Sequence, residues 1–462
     1  MQRETEEVDL LVVGGGKGGK TLAMDRASAG QNVVMVERGM IGGSCINVAC
    51  IPTKALVTSA RALRALRRGR EFGLITDTPA HPDLTLLREH KEGVVAGMVA
   101  FNHTSFLNSG MDFVIGDAVF TAERTVRVTL PDGATRQIRG TDTVINTGTR
   151  PRIPDIPGLA DSDALTSESL LHLTRLPEHL IVLGAGPVGL EFADMFSAFG
   201  ARVTVISRDP RLLPHDDPEI TAEVQRLLTE NGIDLRLGHT VQSVQRHGPD
   251  DVSVLLDDHT QIHGSDLLLA LGREPVTQTL NLAAAGVATT PQGFVDVDDH
   301  LATSAPHTWA AGDVAGTPQF THASLDDYRI IKANLQGQPR STRQRTLPRT
   351  TFLSFDLAHI GLTEAQARQA GHDILIARLP AAAIPRARVT RETHGLWKAV
   401  IDASTDRILG ATLLGPDAGE VLAAVQTAML AGLPYTALRD MPITHPTMAE
   451  GLNLLFAKPT PS

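Results

Sequence analysis

The sequence predicts an α/β chain: two Rossmann-like units in series, followed by a C-terminal α+β domain. Three observations carry that expectation. A glycine-rich turn follows an apolar strand pattern at residue 14, and the same arrangement recurs at residue 184. Beyond a stretch of linker composition at 338–350, polar, basic and proline-containing, strand patterns then mix with helical ones.

Composition sets the frame. At 462 residues the length fits about three domains. Hydrophobic content of 42% and charged content of 20% are ordinary for globular proteins, and with 4% aromatic residues the core must lean on Ala, Val and Leu. A net charge of −10 argues against nucleic acid as the main partner. No apolar run approaches the ~20 residues of a membrane span. The N-terminus, MQRETEEVD, is short, polar and acidic, unlike a secretory signal. These features predict a cytoplasmic protein, in a compartment where structural disulfides are rare.

The first element is VDLLVVGGGKGGKTLAMDRASAGQNVVMVER, residues 8–38. An apolar strand runs into Gly14, Gly16 and Gly19, a helical stretch follows, and a second strand ends at Glu37. In this pattern the first glycine makes a tight turn and the second admits a pyrophosphate. The third lets helix and strand pack closely, and the helix N-terminus faces the phosphates. Glu37 lies 37 − 19 = 18 residues past the last glycine, where an acid meets a ribose 2′-hydroxyl.

The second element, LIVLGAGPVGLEFADMFSAFGARVTVIS, places Gly184, Gly186 and Gly189 in the same setting. Two such units predict two Rossmann-like dinucleotide-binding domains, with electrons moving between two dinucleotides. Here the strand ends in Ser207-Arg208 instead of an acid. Nothing holds a free 2′-hydroxyl, and an arginine is available for a 2′-phosphate, which favours NADPH over NADH. The competing reading is that Arg208 and Arg211 are simply solvated.

Between these units, residues 113–150 alternate like short strands about a turn at 131–133, and 252–275 do much the same. The segment HTWAAGDVAG, 307–316, is a further strand ending in Gly-Asp. The last part of the chain mixes strands (LWKAVI, RILGATLLG) with a helix (EVLAAVQTAML).

The stretch GGSCINVACIPTK, residues 42–54, holds the only 2 Cys of the chain. Such a pair is metal-binding, redox-active or merely packed. A zinc site wants four Cys/His ligands, and here there is neither a second Cys pair nor a nearby His. In a regular helix, residues five apart are separated by ~7.5 Å along the axis, whereas a disulfide tolerates Cα separations up to about 6.8 Å. Cys45 and Cys50 can therefore bridge only where the backbone departs from regular helix, and Gly42, Gly43 and Pro52 flank a segment free to do so.

Together these motifs, from Val12 to Phe456, resemble the FAD-dependent pyridine nucleotide–disulfide oxidoreductases, the group of glutathione reductase, dihydrolipoamide dehydrogenase and mercuric reductase. The resemblance implies an FAD site at Gly14, Gly16, Gly19 and Glu37, extended by Gly43, Ser44, Lys54, Ala118, Thr147, Gly148, Gly312 and Asp313. It implies a nicotinamide dinucleotide site at Gly184, Gly186, Gly189, Ser207, Arg208, Gly272 and Arg273. Cys45 and Cys50 match the redox-active disulfide, Cys45 attacking substrate and Cys50 lying against the flavin. Lys54 and Glu191 match a salt-bridged pair at the reactive end of the flavin, though Lys54 alone would read as a solvated helix residue. His445 and Glu450, in HPTMAE, match an acid–base pair that in the family reaches the disulfide of the other subunit, which implies a homodimer. The implied domains are 1–150 and 276–340 for FAD, 151–275 for NAD(P)H, and 341–462 for dimerisation.

Within the family, GKGGKTLA, CINVACIPTKAL, QFTHASLDDYRI, LPAAAIPRARV and AGLPYTALRD resemble a mercuric reductase-like bacterial branch. That branch includes the reactive-chlorine-resistance flavoproteins described as hypothiocyanous acid reductases. Mercuric reductases carry a C-terminal cysteine pair and lack the His–Glu pair, whereas this chain ends FAKPTPS and keeps both His445 and Glu450. Pro187 stands where glutathione reductases carry a gating tyrosine. The resulting expectation is a homodimeric flavoenzyme without a metal, membrane or nucleic-acid partner. NADPH, or NADH as the alternative donor, reduces FAD, and the Cys45–Cys50 dithiol reduces a small oxidant in oxidative-stress defence. Hypothiocyanous acid is the preferred oxidant. A low-molecular-weight disulfide, Cu(II) or Hg(II) are the alternatives, and a flavin-bound redox sensor is the reading from another class. The basic cluster Arg386, Arg388 and Arg391 reads as a solvated face.

Overall fold

A computed structural model describes residues 5–75 and 78–461, so the first four residues of the acidic N-terminal stretch lie outside the described residues. The chain forms two compact units. The first comprises Met1–Ala55, Thr85–Arg152 and Gly272–Arg345, and the second Leu56–Leu84, Ile153–Leu271 and Thr346–Ser462.

In the first unit, the strand Glu6–Val13 pairs in parallel with Val33–Glu37 on one side and Thr135–Ile145 on the other. Leu10 to Val13 are buried, as expected of a central strand covered on both faces. The register sets Val13 opposite both Val36 and Ile145. Gly14, Glu37 and Asn146 therefore leave the sheet at one level. The strand Thr135–Ile145 has two halves with different neighbours. Its start pairs antiparallel with Thr125–Thr129, and its end pairs parallel with Thr308–Ala310, Ile145 opposite Ala310. Gly312 and Asp313 thus emerge beside Asn146. A 26-residue helix, Leu84–Ser109, completes the unit's longer elements.

The second unit repeats the logic. Its parallel sheet runs in the order Ile233–Leu237, Arg202–Ser207, His179–Leu183, Asp266–Leu269, Leu165–Thr166. Leu183 stands opposite Ile206 and Leu269, so Gly184, Ser207 and Ala270 share one sheet end. An antiparallel meander, Val241–Gly248, Asp251–Leu256 and Gln261–Gly264, is a separate three-stranded sheet. The C-terminal part is a six-stranded antiparallel sheet with the helix Ala418–Leu430, packed around Trp397 and Phe456, both 0% exposed.

The stretch 338–350 is not linker throughout. Its end belongs to the strand Arg349–Phe352, which pairs with Asp356–Gly361. The run Arg-Thr-Thr-Phe is rich in β-branched and aromatic residues, and that preference outweighs the polar composition of the residues before it.

Candidate active site

Three glycines of the first unit are there because side chains do not fit. Gly14 has φ +101°, and a Cβ there would stand 2.5 Å from the Asn146 carbonyl oxygen. A Cβ on Gly16 would meet Asn146 Oδ1 at 2.5 Å, and one on Gly19 would meet the Gly14 carbonyl oxygen at 2.8 Å. The helix Lys17–Ser28 starts with no capping side chain and no acid in its first turn, so its positive end is available to an anion. Asn146 ties the loop down: Oδ1 accepts from the Gly19 N–H at 2.9 Å, and Nδ2 donates to the Ala311 carbonyl. The Gly18 N–H donates to Ser324 Oγ. Glu37 caps the neighbouring strand end, its Oε2 accepting from the Gly15 N–H at 2.7 Å and its Oε1 from Gly39 and Met40.

Asp313 receives a hydrogen bond from Thr149 Oγ1 at 2.7 Å, and Arg273 Nε donates to the same threonine oxygen at 2.8 Å. Burial pushes the Asp313 carboxyl up, partly offset by Thr149 and Arg273. Asp327, fully buried, accepts from the Gly312 N–H at 2.7 Å and from Arg345. Thr147 Oγ1 donates to the Val276 carbonyl, Gly148 and Gly272 both have positive φ, and Ala118 sits opposite Val128. This cradle fits FAD: an uncapped helix start for a diphosphate, an acid at the neighbouring strand end for a ribose, and Asp313 for the sugar chain.

The cysteine loop opens on Gly42 and Gly43, with φ of +89° and +83°. A short helix, Ser44–Asn47, stops at Val48 (φ −141°, ψ 10°), and a new helix runs Cys50–Arg67. The helix is interrupted between the two cysteines, as bridging requires. Asn47 pins the turn by donating to the Ile41 and Gly43 carbonyls. Both cysteines are thiols, half-buried and hydrogen-bonded to each other, and Cys50 Sγ lies 3.5 Å from Thr321 Oγ1. The Cys45 thiol is pushed up, first by its bond to Cys50 and then by burial, while Thr321 and Lys20 pull it down. Cys50 stands at the start of an 18-residue helix, where the dipole favours a thiolate. Lys54, half-buried, lies one turn further along that helix.

In the second unit, a Cβ on Gly184 would meet the Ala270 carbonyl oxygen at 2.4 Å and one on Gly189 would meet that of Gly184 at 2.1 Å. Gly186 has open space around it and begins the uncapped helix Pro187–Phe199. Ser207 Oγ accepts from the Asp209 N–H, and Arg208 is exposed. Glu191 is buried and accepts from the Phe352 N–H at 2.9 Å. His445 Nδ1 lies 2.7 Å from Glu450 Oε2. In the neutral ring the carboxylate beside Nδ1 assigns the proton to that nitrogen, so Nε2 is the ring's acceptor. The imidazole is 69% exposed and the Glu450 side chain 12%.

Asn146, Asp327, Thr321 and Lys20 were not singled out from the sequence. Asn146 carried a weak signal, a polar residue ending the apolar strand before Thr147-Gly148. Lys20 carried another, a lysine on the packed side of the glycine-loop helix.

Two glycine-loop units and a paired-thiol loop define a dinucleotide-dependent redox protein. Residues 8–327 match the family "Pyridine nucleotide-disulphide oxidoreductase", and residues 347–455 match that family's dimerisation domain. The chain belongs to this family, and is an oxidoreductase acting on a sulfur group with a flavin and a pyridine nucleotide. It is 40% identical over 456 residues to the "Probable pyridine nucleotide-disulfide oxidoreductase RclA" of Escherichia coli K12, covering 97% of this chain and 98% of that one. It is 37% identical over 454 residues to a mercuric reductase of Staphylococcus aureus, covering 97% and 82%. The solved Cu(II) complex of the HOCl-induced flavoprotein disulfide reductase RclA from Escherichia coli superimposes with a TM-score of 0.90 at 39% identity, covering 98% of this chain and 99% of that one. Among the described residues, no helix is long and apolar enough to cross a membrane.

Proposed function

We propose that the chain is a homodimeric NADPH-dependent reductase whose Cys45–Cys50 dithiol reduces hypothiocyanous acid. The observation that carries this reading is the pair of hydrogen-bonded, half-buried thiols at a helix break, in the same unit as the flavin cradle. The HOCl-induced relative supports an oxidant-defence role.

In the cradle, Gly14, Gly16, Glu37 and Asp313 would hold FAD, which when bound supplies the relay of two electrons from nicotinamide to disulfide. The protein's own steps are thiol chemistry. The Cys45 thiolate attacks the sulfur of HOSCN, forming an S–S bond and expelling hydroxide, which leaves as water once protonated. Cys50 then attacks Cys45 Sγ, releasing thiocyanate and closing the disulfide. The sum is HOSCN + NADPH → SCN⁻ + NADP⁺ + H₂O. Because both thiols lie in one loop, the second attack is intramolecular and outpaces reaction with bulk thiols. His445, with Nδ1 held by Glu450, would exchange the proton at the disulfide of the other subunit.

Steady-state NADPH consumption with hypothiocyanous acid, a low-molecular-weight disulfide, Cu(II) and Hg(II) tests the substrate. The expected result is the highest kcat/KM for hypothiocyanous acid. A higher value for Cu(II) would install the second reading, which the Cu(II) complex of the relative favours. Fewer than a handful of turnovers with every oxidant would leave a redox sensor instead.

The cofactor assignment has its own test. Arg208 is exposed at the strand end beside the second glycine loop. Arg208→Ala is expected to raise the KM for NADPH several-fold and leave that for NADH nearly unchanged, in line with loss of one partner of a 2′-phosphate. Equal use of the two donors by the unmodified enzyme would remove the basis for the assignment.

A further inference from the structure

Lys20 lies in the glycine-loop helix Lys17–Ser28 and is 4% exposed. A buried ammonium is costly unless it is paired. Its Nζ donates to the Gly42 carbonyl at 3.0 Å and to Asn102 Oδ1 at 2.7 Å, and both of these acceptors are neutral. The contact is close fitting: a Cβ on Gly42 would stand 3.3 Å from Lys20 Nζ and 3.4 Å from Asn102 Cγ. Gly42 opens the loop that carries Cys45 three residues later.

We propose that Lys20 is a positioning residue for the redox loop, anchoring Gly42 and supplying the intrasubunit positive charge that favours the Cys45 thiolate. This rests on the reading of Cys45 as the thiol that attacks the oxidant. The charges around the site agree with it. Burial and then Lys17 lower the Lys20 ammonium to about 8, and Cys45 pulls it back up. Reciprocally, Lys20 acts on Cys45 against the upward pull of Cys50 and burial, together with the Thr321 hydroxyl. Asn102, from the helix Leu84–Ser109, contributes no charge. The sign follows: the cation is present below pH ~8, where it assists Cys45, and is lost above it.

The test uses the FAD-loaded dimer reduced with dithiothreitol, alkylated with iodoacetamide at neutral pH, with the rates of modification of Cys45 and Cys50 followed separately by mass. In Lys20→Met the alkylation of Cys45 at that pH is expected to be about tenfold slower, the effect of a one-unit rise in the thiol. Asn102→Ala, which loosens the anchor and keeps the charge, is expected to leave that rate near the wild-type value. An unchanged Cys45 rate in Lys20→Met, or equal falls in both variants, would overturn the electrostatic role. If Lys20→Met does not retain FAD, the wild type carries the test through ¹³C-labelled lysine. Blocking Cys45 as a neutral thioether should lower the Lys20 midpoint, because the coupling is reciprocal. A Lys20 midpoint indifferent to Cys45 would overturn it equally. Alkylation reads the thiol without any oxidant, so this assignment and the proposed substrate fail separately.

Discussion

Cys45→Ser is expected to abolish turnover and to create a new absorbance band. If Cys45 is the attacking thiol, as proposed, its removal should cost roughly a thousandfold or more, as loss of a nucleophile does elsewhere. What remains is Cys50, at the start of the Cys50–Arg67 helix, with Thr321 Oγ1 3.5 Å away. With oxidised FAD bound against it, as proposed, its thiolate would give a long-wavelength charge-transfer shoulder that fades on acidification as the sulfur protonates. Cys50→Ser should show no shoulder. It should still form an adduct with the oxidant at Cys45, visible by mass, and then stall. A shoulder in Cys50→Ser and none in Cys45→Ser would reverse the two roles. A shoulder in neither, with flavin reduction by NADPH intact, would place the thiols away from the flavin and defeat the mechanism.

The second large effect concerns the dimer. His445→Ala is expected to lower turnover by about 10²–10⁴-fold, the usual weight of a general acid–base. The sharper experiment mixes subunits. A Cys45→Ser chain and a His445→Ala chain are each nearly inactive as homodimers. If His445 serves the partner's disulfide, a heterodimer contains one site with an intact dithiol and an intact imidazole, and activity should return to about half per dimer. Purified heterodimers that stay inactive would show that the histidine does not act across the interface. Glu450→Gln offers a graded control. It keeps the shape beside Nδ1 but removes the carboxylate that fixes the tautomer, so turnover should fall less steeply than with loss of the ring.

Much of this was legible from residues close together in sequence. Gly14, Gly16, Gly19 and Glu37 declare themselves because turn, helix start and strand end are one continuous segment, and the second glycine loop repeats it. The cysteine pair stood out by scarcity, and simple helix geometry required the break that occurs at Val48. What stayed hidden depends on partners far along the chain. Asn146 matters because its amide joins Gly19 to Ala311, a link of 165 residues on one side. Asp327 matters because Gly312 and Arg345 converge on it. No periodicity announces such convergence. The Leu84–Ser109 helix escaped for another reason: glycines at 93 and 97 and apolar residues on several faces, with Phe101 and Leu107 exposed, blur the one-sided stripe that marks an amphipathic helix.

The discontinuity of the first unit has a consequence for how the protein is made. Its sheet needs the strand Thr308–Ala310 beside Thr135–Ile145, and its loops need Ser324, Asp327 and Arg345. A ribosome that has released the cysteine loop must still synthesise nearly 300 residues before those partners exist. At 5–20 residues per second, the nascent chain carries Cys45 and Cys50 for roughly 15 to 60 seconds as thiols without their finished surroundings. In a cell under the oxidant stress this enzyme is proposed to relieve, that interval exposes newborn copies to the same reagent. The length of that interval depends on how quickly the last third of the chain arrives to close the site.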